Sequence, residues 1–253
     1  IDELTAAAKL LEFRSVDGGL KDTSFDTISA AAGHAALPHY KVDEYSNITI
    51  PPGSIFLCDS GGQYIGETGA GTTDITRTVW VGSADGKAAP TAEMKDRFTR
   101  VLKGHIALAT ARFPEGTTGS QLDVLARHAL WQLGLDYDHG TGHGVGSFLG
   151  GHEGPHRISK VPNSVALEPG MTFSDEPGIY VYGELGVRLE DIVAVTSSGA
   201  EVFGPRSLYQ PTELSEFDRA YLESLYDLPA NSRDGQVIAA AVNRYRTNLG
   251  MED

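Results

Sequence analysis

Three histidines, His139, His143 and His152, are interleaved with glycine in the stretch HGTGHGVGSFLGGHEGP. Glycine lets backbone come close to a bound group. Histidine is the commonest metal ligand and the commonest proton carrier near neutral pH. Such a stretch reads as the wall of a reaction site rather than as a core element, and its chemistry depends on acidic partners. Four acids sit in or beside apolar strand-like runs: Asp59 closes SIFLCD, Asp74 opens DITRTVWV, Glu176 lies in SDEPG and Glu190 in GVRLEDIVAV. A buried carboxylate is costly unless it is paired, hydrogen-bonded or metal-bound. Four of them with a glycine-flanked histidine point to a cation cluster. Oxygen-rich ligation with one imidazole suits Mn, Co, Fe or Zn. Carboxylates able to bridge would admit two metals roughly 3.5 Å apart, the spacing of two-metal hydrolases.

These residues need a scaffold. Residues 2–13 place Leu4, Ala7, Ala8 and Leu11 on one face at helical spacing. A polar loop follows through Thr27, then an irregular or extended region with His34 and His39. A loop histidine such as His34 is expected to be exposed or to cap the core. The runs around Asp59 and Asp74 predict a hairpin with strands near 54–66 and 73–82, on which both aspartates point to one face. Residues 92–112 predict a helix with Met94, Phe98, Val101, Leu102 and Leu108 inward, and His105 on that face reads as a packed helix histidine. Residues 120–133 predict a second helix, opened by the capping box Thr118-Gly-Ser-Gln121. Its stripe is Leu122, Leu125, Ala129 and Leu133, with His128 at the surface. Strands are predicted over 171–175 and 187–196, and further helices near 214–225 and 237–245.

Composition narrows the class. The chain has 253 residues, enough for one large domain or two small ones, with 40% hydrophobic and 21% charged residues. Its 34 acidic and 20 basic residues give a net charge of −14, which argues against a nucleic-acid or anionic-membrane surface. The one cysteine, Cys58, excludes an intrachain disulfide. No apolar run approaches the roughly 20 residues of a membrane span. A chain that opens at Ile1 is expected to be a piece of something longer.

Six motifs in order resemble the catalytic domain of the Xaa-Pro aminopeptidases (aminopeptidase P), members of the pita-bread metallopeptidases. They are LPHY, DSGGQY, GTTDITRT, HGTGHGVG followed by HEGP, DEPG and RLED, and the resemblance runs from about Ile1 to about Pro205. It implies an α+β pita-bread fold: a curved antiparallel sheet, helices on its outer face and a metal site in its concave face. It implies Asp59, Asp74, His143, Glu176 and Glu190 as metal ligands. Two divalent ions are expected, Mn2+ first and Co2+, Fe2+ or Zn2+ as the others. His39 and His152 become substrate-binding and proton-handling groups, and Glu176 the residue that moves the proton of the attacking water. Arg188 orients carboxylates from behind, and His139 shapes the glycine loop.

The implied activity is hydrolysis of the N-terminal Xaa-Pro peptide bond by a metal-bridging hydroxide, on peptides with proline second. The expected setting is cytoplasmic, as a homodimer and/or in association with a missing N-terminal portion, without nucleic-acid or membrane partners. Residues 1–205 are expected to form the catalytic domain, and 206–253 a helical tail packed on it, with the family's upstream domains outside this chain. Two features depart from the family pattern. The segment between Asp59 and Asp74 is about four residues longer than usual, and SLYQPTEL follows Pro205 where a Leu/Val/Pro-rich strand is common. An even insertion preserves strand facing, so the extra residues are expected to bulge outward and Glu67 to face solvent. The alternatives are a prolidase-like dipeptidase, a methionine aminopeptidase, or an inactive pita-bread binding module if the insertion disrupts the site.

Overall fold

A computed structural model of the chain describes residues 1–203 apart from 17, 68, 149 and 198. The chain divides into Ile1–Gly204 and Pro205–Asp253. The helices expected near 214–225 and 237–245, and the packing of 206–253 as a tail, lie outside the described residues.

Helix α1 (Glu3–Arg14) begins where Asp2 accepts a hydrogen bond from the Thr5 backbone N–H at 2.8 Å, satisfying one of the helix's orphan donors. The expected apolar face is only weakly buried, with Leu11 42% exposed. The buried residue of this helix is Glu3. Its carboxylate accepts from Ala31 N (2.7 Å), Tyr40 Oη (3.1 Å) and Ile48 N (3.2 Å), and lies 2.9 Å from His34 Nδ1. Polar anchoring therefore replaces the apolar stripe. His34 thus acts as a cap, stacked on Tyr40, and Glu3 pins both sides of the loop that carries His39.

The polar loop before Thr27 contains a strand that the sequence pattern hides, β1 (Leu20–Thr23). Next come β2 (Ile28–Ala31) and a 3-10 turn, Ala32–Ala36. The long hairpin expected over 54–82 resolves into four strands: β3 (Ser54–Ser60), β4 (Gly62–Gly66), β5 (Gly69–Thr72) and β6 (Ile75–Val81). β3 pairs directly with β6, from Ser54 with Val81 to Ser60 with Ile75. β4 and β5 turn out of this pair as their own hairpin and join β1. The exit is at Gly61, where a Cβ would stand 2.0 Å from the Thr73 carbonyl oxygen and 2.1 Å from Ser24 Oγ. The extra residues bulge outward, and Glu67 is exposed.

Helices α2 (Ala92–Ala109) and α3 (Gly119–Trp131) follow, and α3 has the expected Thr118–Gln121 capping box. They cross closely because a Cβ at Gly104 would meet the Ala126 carbonyl oxygen at 2.0 Å. The remaining strands are β7 (Gly142–Gly144), β8 (Glu153–Ile158), β9 (Thr172–Asp175), β10 (Gly178–Val181), β11 (Leu185–Arg188), β12 (Asp191–Thr196) and β13 (Gly199–Phe203). The strand expected over 187–196 breaks at Leu189-Glu190, between β11 and β12. Five strands lie in the order β13-β12-β9-β7-β8, three in the order β2-β3-β6 and two as β10-β11. All pairings are antiparallel, so the curved sheet is assembled from several hydrogen-bonded pieces. Leu108, Leu122 and Ala126 of the helices close a core with Ile158, Phe173, Val193 and Val195 of the large sheet. Burying such side chains contributes roughly 1.5–3 kcal/mol each. No described helix is long and apolar enough to cross a membrane.

Candidate metal centre

A cavity of about 270 Å³ is lined by Asp59, Asp74, His143, Glu176, Glu190 and Arg188, together with His39, His139 and His152. All five expected ligands therefore come to one place. Asp59 is the penultimate residue of β3, and Asp74 immediately precedes β6. Because Ser60 pairs with Ile75, the direct β3–β6 ladder brings the two aspartates together although fifteen positions separate them. His143 is the middle residue of β7, Glu176 follows the end of β9, and Glu190 occupies the break between β11 and β12. The two glutamates thus sit at strand ends rather than within strands.

The donor atoms converge. One ligand atom each from Asp74, His143 and Glu190 lie within 4.8 Å of one another. His143 Nε2 is 3.4 Å from Asp74 Oδ2 and 3.3 Å from Glu176 Oε1. Its Nδ1 lies 2.9 Å from the Gly144 carbonyl oxygen, which only accepts, so Nδ1 carries a proton and Nε2 is the atom turned to the acids. Asp59 Oδ2 accepts from Arg188 Nη2 at 2.7 Å, while its buried Oδ1 has no hydrogen-bond partner among the described residues. Glu190 Oε2 accepts from Thr76 Oγ at 2.6 Å, and Glu176 Oε1 from Ser174 Oγ at 3.0 Å.

Electrostatics follow from this crowding. Burial and the Asp59 charge raise Asp74 above the usual carboxylate range, against the hydrogen bond from His143. Burial also lifts Glu176 to about 7, and burial with the neighbouring Asp74 and Asp59 lifts Glu190 well above normal. Burial alone would lower His143, but Asp74 and Glu176 carry it up to about 8. The cluster gathers four carboxyl groups beside Arg188, with one orphaned Asp59 oxygen and the His143 Nε2 turned to the acids. These are the properties of a divalent-cation site built from hard oxygen donors and one nitrogen.

The floor is buried and the rim open. Asp59, Asp74, Glu190 and Arg188 are buried, while His39 and His152 are exposed. The His152 ring lies 4.0 Å from that of His143, and burial with the His143 charge lowers its pKa. His139 does more than shape the loop: its Nδ1 donates to the Gly140 carbonyl at 2.7 Å and its Nε2 accepts from Tyr180 Oη at 2.8 Å. Burial holds it near 4, so it is neutral. Tyr180 in turn accepts from Arg188 Nη1 at 2.8 Å, which makes a chain from Asp59 through Arg188 and Tyr180 to His139.

Sequence reasoning missed Tyr180, Thr76 and Ser174. A signal existed for Thr76: buried Thr76 and Thr78 alternate along β6, and Thr78 Oγ donates to the Arg188 carbonyl at 2.8 Å. Tyr180 meets Arg188 and Ser174 meets Glu176 within a few residues along the chain, but no residue pattern marked either contact.

An antiparallel α+β scaffold with a carboxylate-and-imidazole centre in its concavity defines a class of metallohydrolase. The model of metallopeptidase family M24 matches residues 1–197, and the chain belongs to that family. Its fold is the pita-bread fold of M24 enzymes. Aminopeptidase P1 of Arabidopsis thaliana is 46% identical over 213 residues, 83% of this chain and 32% of that protein. A probable Xaa-Pro aminopeptidase P of Laccaria bicolor is 51% identical over 197 residues, 77% of this chain and 29% of that protein. The chain thus spans about a third of the length of these curated relatives. An X-prolyl aminopeptidase of Caenorhabditis elegans, described as a cytosolic enzyme with a di-nuclear active site, superposes with a TM-score of 0.73 at 36% identity, covering 99% of this chain and 40% of that one. The prolidase of Pyrococcus furiosus superposes at 0.68 with 34% identity, covering 81% of this chain and 56% of that one.

Proposed function

We propose that this chain carries the catalytic centre of a metal-dependent Xaa-Pro aminopeptidase. The observation that supports this most is the convergence of Asp59, Asp74, His143, Glu176 and Glu190 on one cavity, in a chain that resembles aminopeptidase P relatives. Residues 1–205 are the catalytic domain in this reading, and 206–253 a helical tail. The five residues hold two divalent ions, with manganese as the expected metal. Ions bound there supply Lewis-acid polarisation of a carbonyl and acidify a coordinated water.

The protein's own groups do the rest. Glu176, beside His143 at the end of β9, takes a proton from the attacking water in this reading and returns it to the departing proline nitrogen. Ser174 Oγ fixes the rotamer of Glu176 for this task. His152, beside His143 at the open side, is placed to donate to the oxygen of the tetrahedral intermediate. His39, on the loop anchored by Glu3, contacts the carbonyl or amine side of the substrate. Arg188 holds Asp59 in place without occupying its second oxygen. A cytoplasmic setting and a homodimer complete the reading, on the family resemblance and the cytosolic description of the nematode enzyme.

The test compares an Xaa-Pro-Pro tripeptide with an Xaa-Pro dipeptide. Release of the first residue from the tripeptide supports the proposal, and cleavage of dipeptides alone selects the prolidase alternative. Glu176→Gln is expected to lower kcat by about 10²–10⁴ with the fold retained, and full activity in that variant would remove Glu176 from its role. A metal-free binding module is the least supported alternative, since Asp59 and Asp74 line one cavity despite the lengthened hairpin.

A further inference from the structure

Behind the centre, on the helix side of the large sheet, lies a second set of charges. Asp175 immediately precedes Glu176, and Asp191 immediately follows Glu190. In the antiparallel β9–β12 ladder Asp175 and Asp191 are direct partners, and both are fully buried. Side chains alternate along a strand, so these aspartates face away from the cavity that the two glutamates enter. Like charges directly opposite each other on neighbouring strands repel, and burial without a counter-charge costs more.

The counter-charge comes from α2. His105, 3% exposed, stands between the two carboxylates. Its Nδ1 is 3.1 Å from the Asp175 carbonyl oxygen and 3.3 Å from Asp175 Oδ2, and its Nε2 is 3.4 Å from Asp191 Oδ2. The other oxygen of Asp191 accepts from Arg77 Nη2 at 2.8 Å, and Arg77 Nη1 donates to the Glu190 carbonyl at 2.6 Å. Among the described residues Asp175 has no such arginine, and neither of its carboxylate oxygens has a hydrogen-bond partner. Against the effect of burial, the two aspartates carry the His105 pKa up to about 10, so the imidazole is a cation at neutral pH.

We propose that His105 is a positioning residue for the metal centre, fixing the β9–β12 spacing and through it the separation of Glu176 from Glu190. This rests on the metal-centre reading above. Without the imidazolium, Asp175 faces Asp191 uncompensated, and the strands relieve the repulsion by shifting. One peptide unit links each aspartate to its glutamate, so the shift is passed to the ligands. Misplacements of about 1 Å are enough to cost roughly 10²-fold in a site of this kind.

The test titrates Co2+ into the metal-free 253-residue chain as wild type, His105→Gln and His105→Gln/Asp175→Asn. Three quantities are read: the dissociation constant, the visible d–d spectrum and the metal-free Tm. Removing the imidazolium is expected to weaken Co2+ binding by roughly 10–100-fold, the range for groups that orient ligands, and to alter the spectrum. Removing one repelling carboxylate as well is expected to restore most of the affinity. A His105→Gln protein with lowered Tm but wild-type affinity and spectrum would show a merely structural histidine and overturn the proposal. So would a double variant that binds no better than the single one. If His105→Gln does not fold, recovery of binding in the double variant supports the proposal, and its failure to bind overturns it. A wild-type chain that binds no Co2+ would instead overturn the metal-centre reading.

Discussion

Replacing Arg188 by methionine separates the charge balance of the centre from its chemistry. Arg188 is 2% exposed and donates to Asp59 at 2.7 Å, Tyr180 at 2.8 Å and Thr76 at 3.2 Å. Methionine fills much of the same volume but leaves Asp59 buried beside Asp74, Glu176 and Glu190 without its cation. Removing one partner of a buried ion pair costs roughly 3–5 kcal/mol. At about 2–4 °C per kcal/mol for a protein of this size, the metal-free Tm is expected to fall by about 6–20 °C. In the metal-centre reading, a divalent ion held by Asp59 would supply positive charge in place of the guanidinium. Manganese at one hundred times its dissociation constant is expected to return about 2.7 kcal/mol, closing much of the gap. The assay is thermal unfolding by circular dichroism, with chelator and with Mn2+. Arg188→Lys, which keeps the charge but not the fork, should fall between wild type and Arg188→Met. A metal-free Arg188→Met protein melting within about 2 °C of wild type would refute the reasoning, because 3–5 kcal/mol cannot hide in that interval.

The raised acids set a direction for pH. Glu176 binds its proton up to about 7 in the folded chain, against 4.5 for an ordinary glutamate, and Asp74 and Glu190 are raised as well. The native state then holds protons that the unfolded state has released, so metal-free stability is lost as pH rises from about 4.5 through 7. Urea midpoints of the metal-free protein should therefore decline between pH 5 and 7, while bound metal, which needs deprotonated ligands, should reverse the trend; a rising metal-free midpoint would contradict the pKa shifts. Gly142→Ala tests the strand packing, since the new Cβ would lie 1.8 Å from the Ser174 carbonyl oxygen, beside His143. Overpacking of this kind costs roughly 1–3 kcal/mol, and calorimetry should show a lowered Tm together with weakened metal uptake. A variant with unchanged Tm and metal content would place β7 elsewhere.

The candidate residues were legible in the sequence because they carry local signals. Asp59 ends an apolar run, His143 is framed by glycines, and Glu176 and Glu190 interrupt strand patterns; the structure brings all of them to one cavity. What stayed hidden is set by strand pairing and register. Tyr180 matters because β10 folds back on β11 and sets its hydroxyl against Arg188. His105 read as an ordinary helix histidine, because only the β9–β12 register puts Asp175 and Asp191 on either side of it. The course of the chain between Asp59 and Asp74 was misjudged as one hairpin. The glycines that let β4 and β5 leave the β3–β6 pair look, in sequence, like those of any turn.

The central claim is that the five converging side chains form a metal centre that cleaves after the first residue of Xaa-Pro peptides. The most direct measurement is release of that residue from an Xaa-Pro-Pro tripeptide by the chelator-stripped chain, before and after Mn2+ is restored. No release is expected without metal, recovery with it, and no recovery in Asp59→Asn or His143→Ala. Cleavage that persists in chelator, or that survives loss of either ligand, would contradict it.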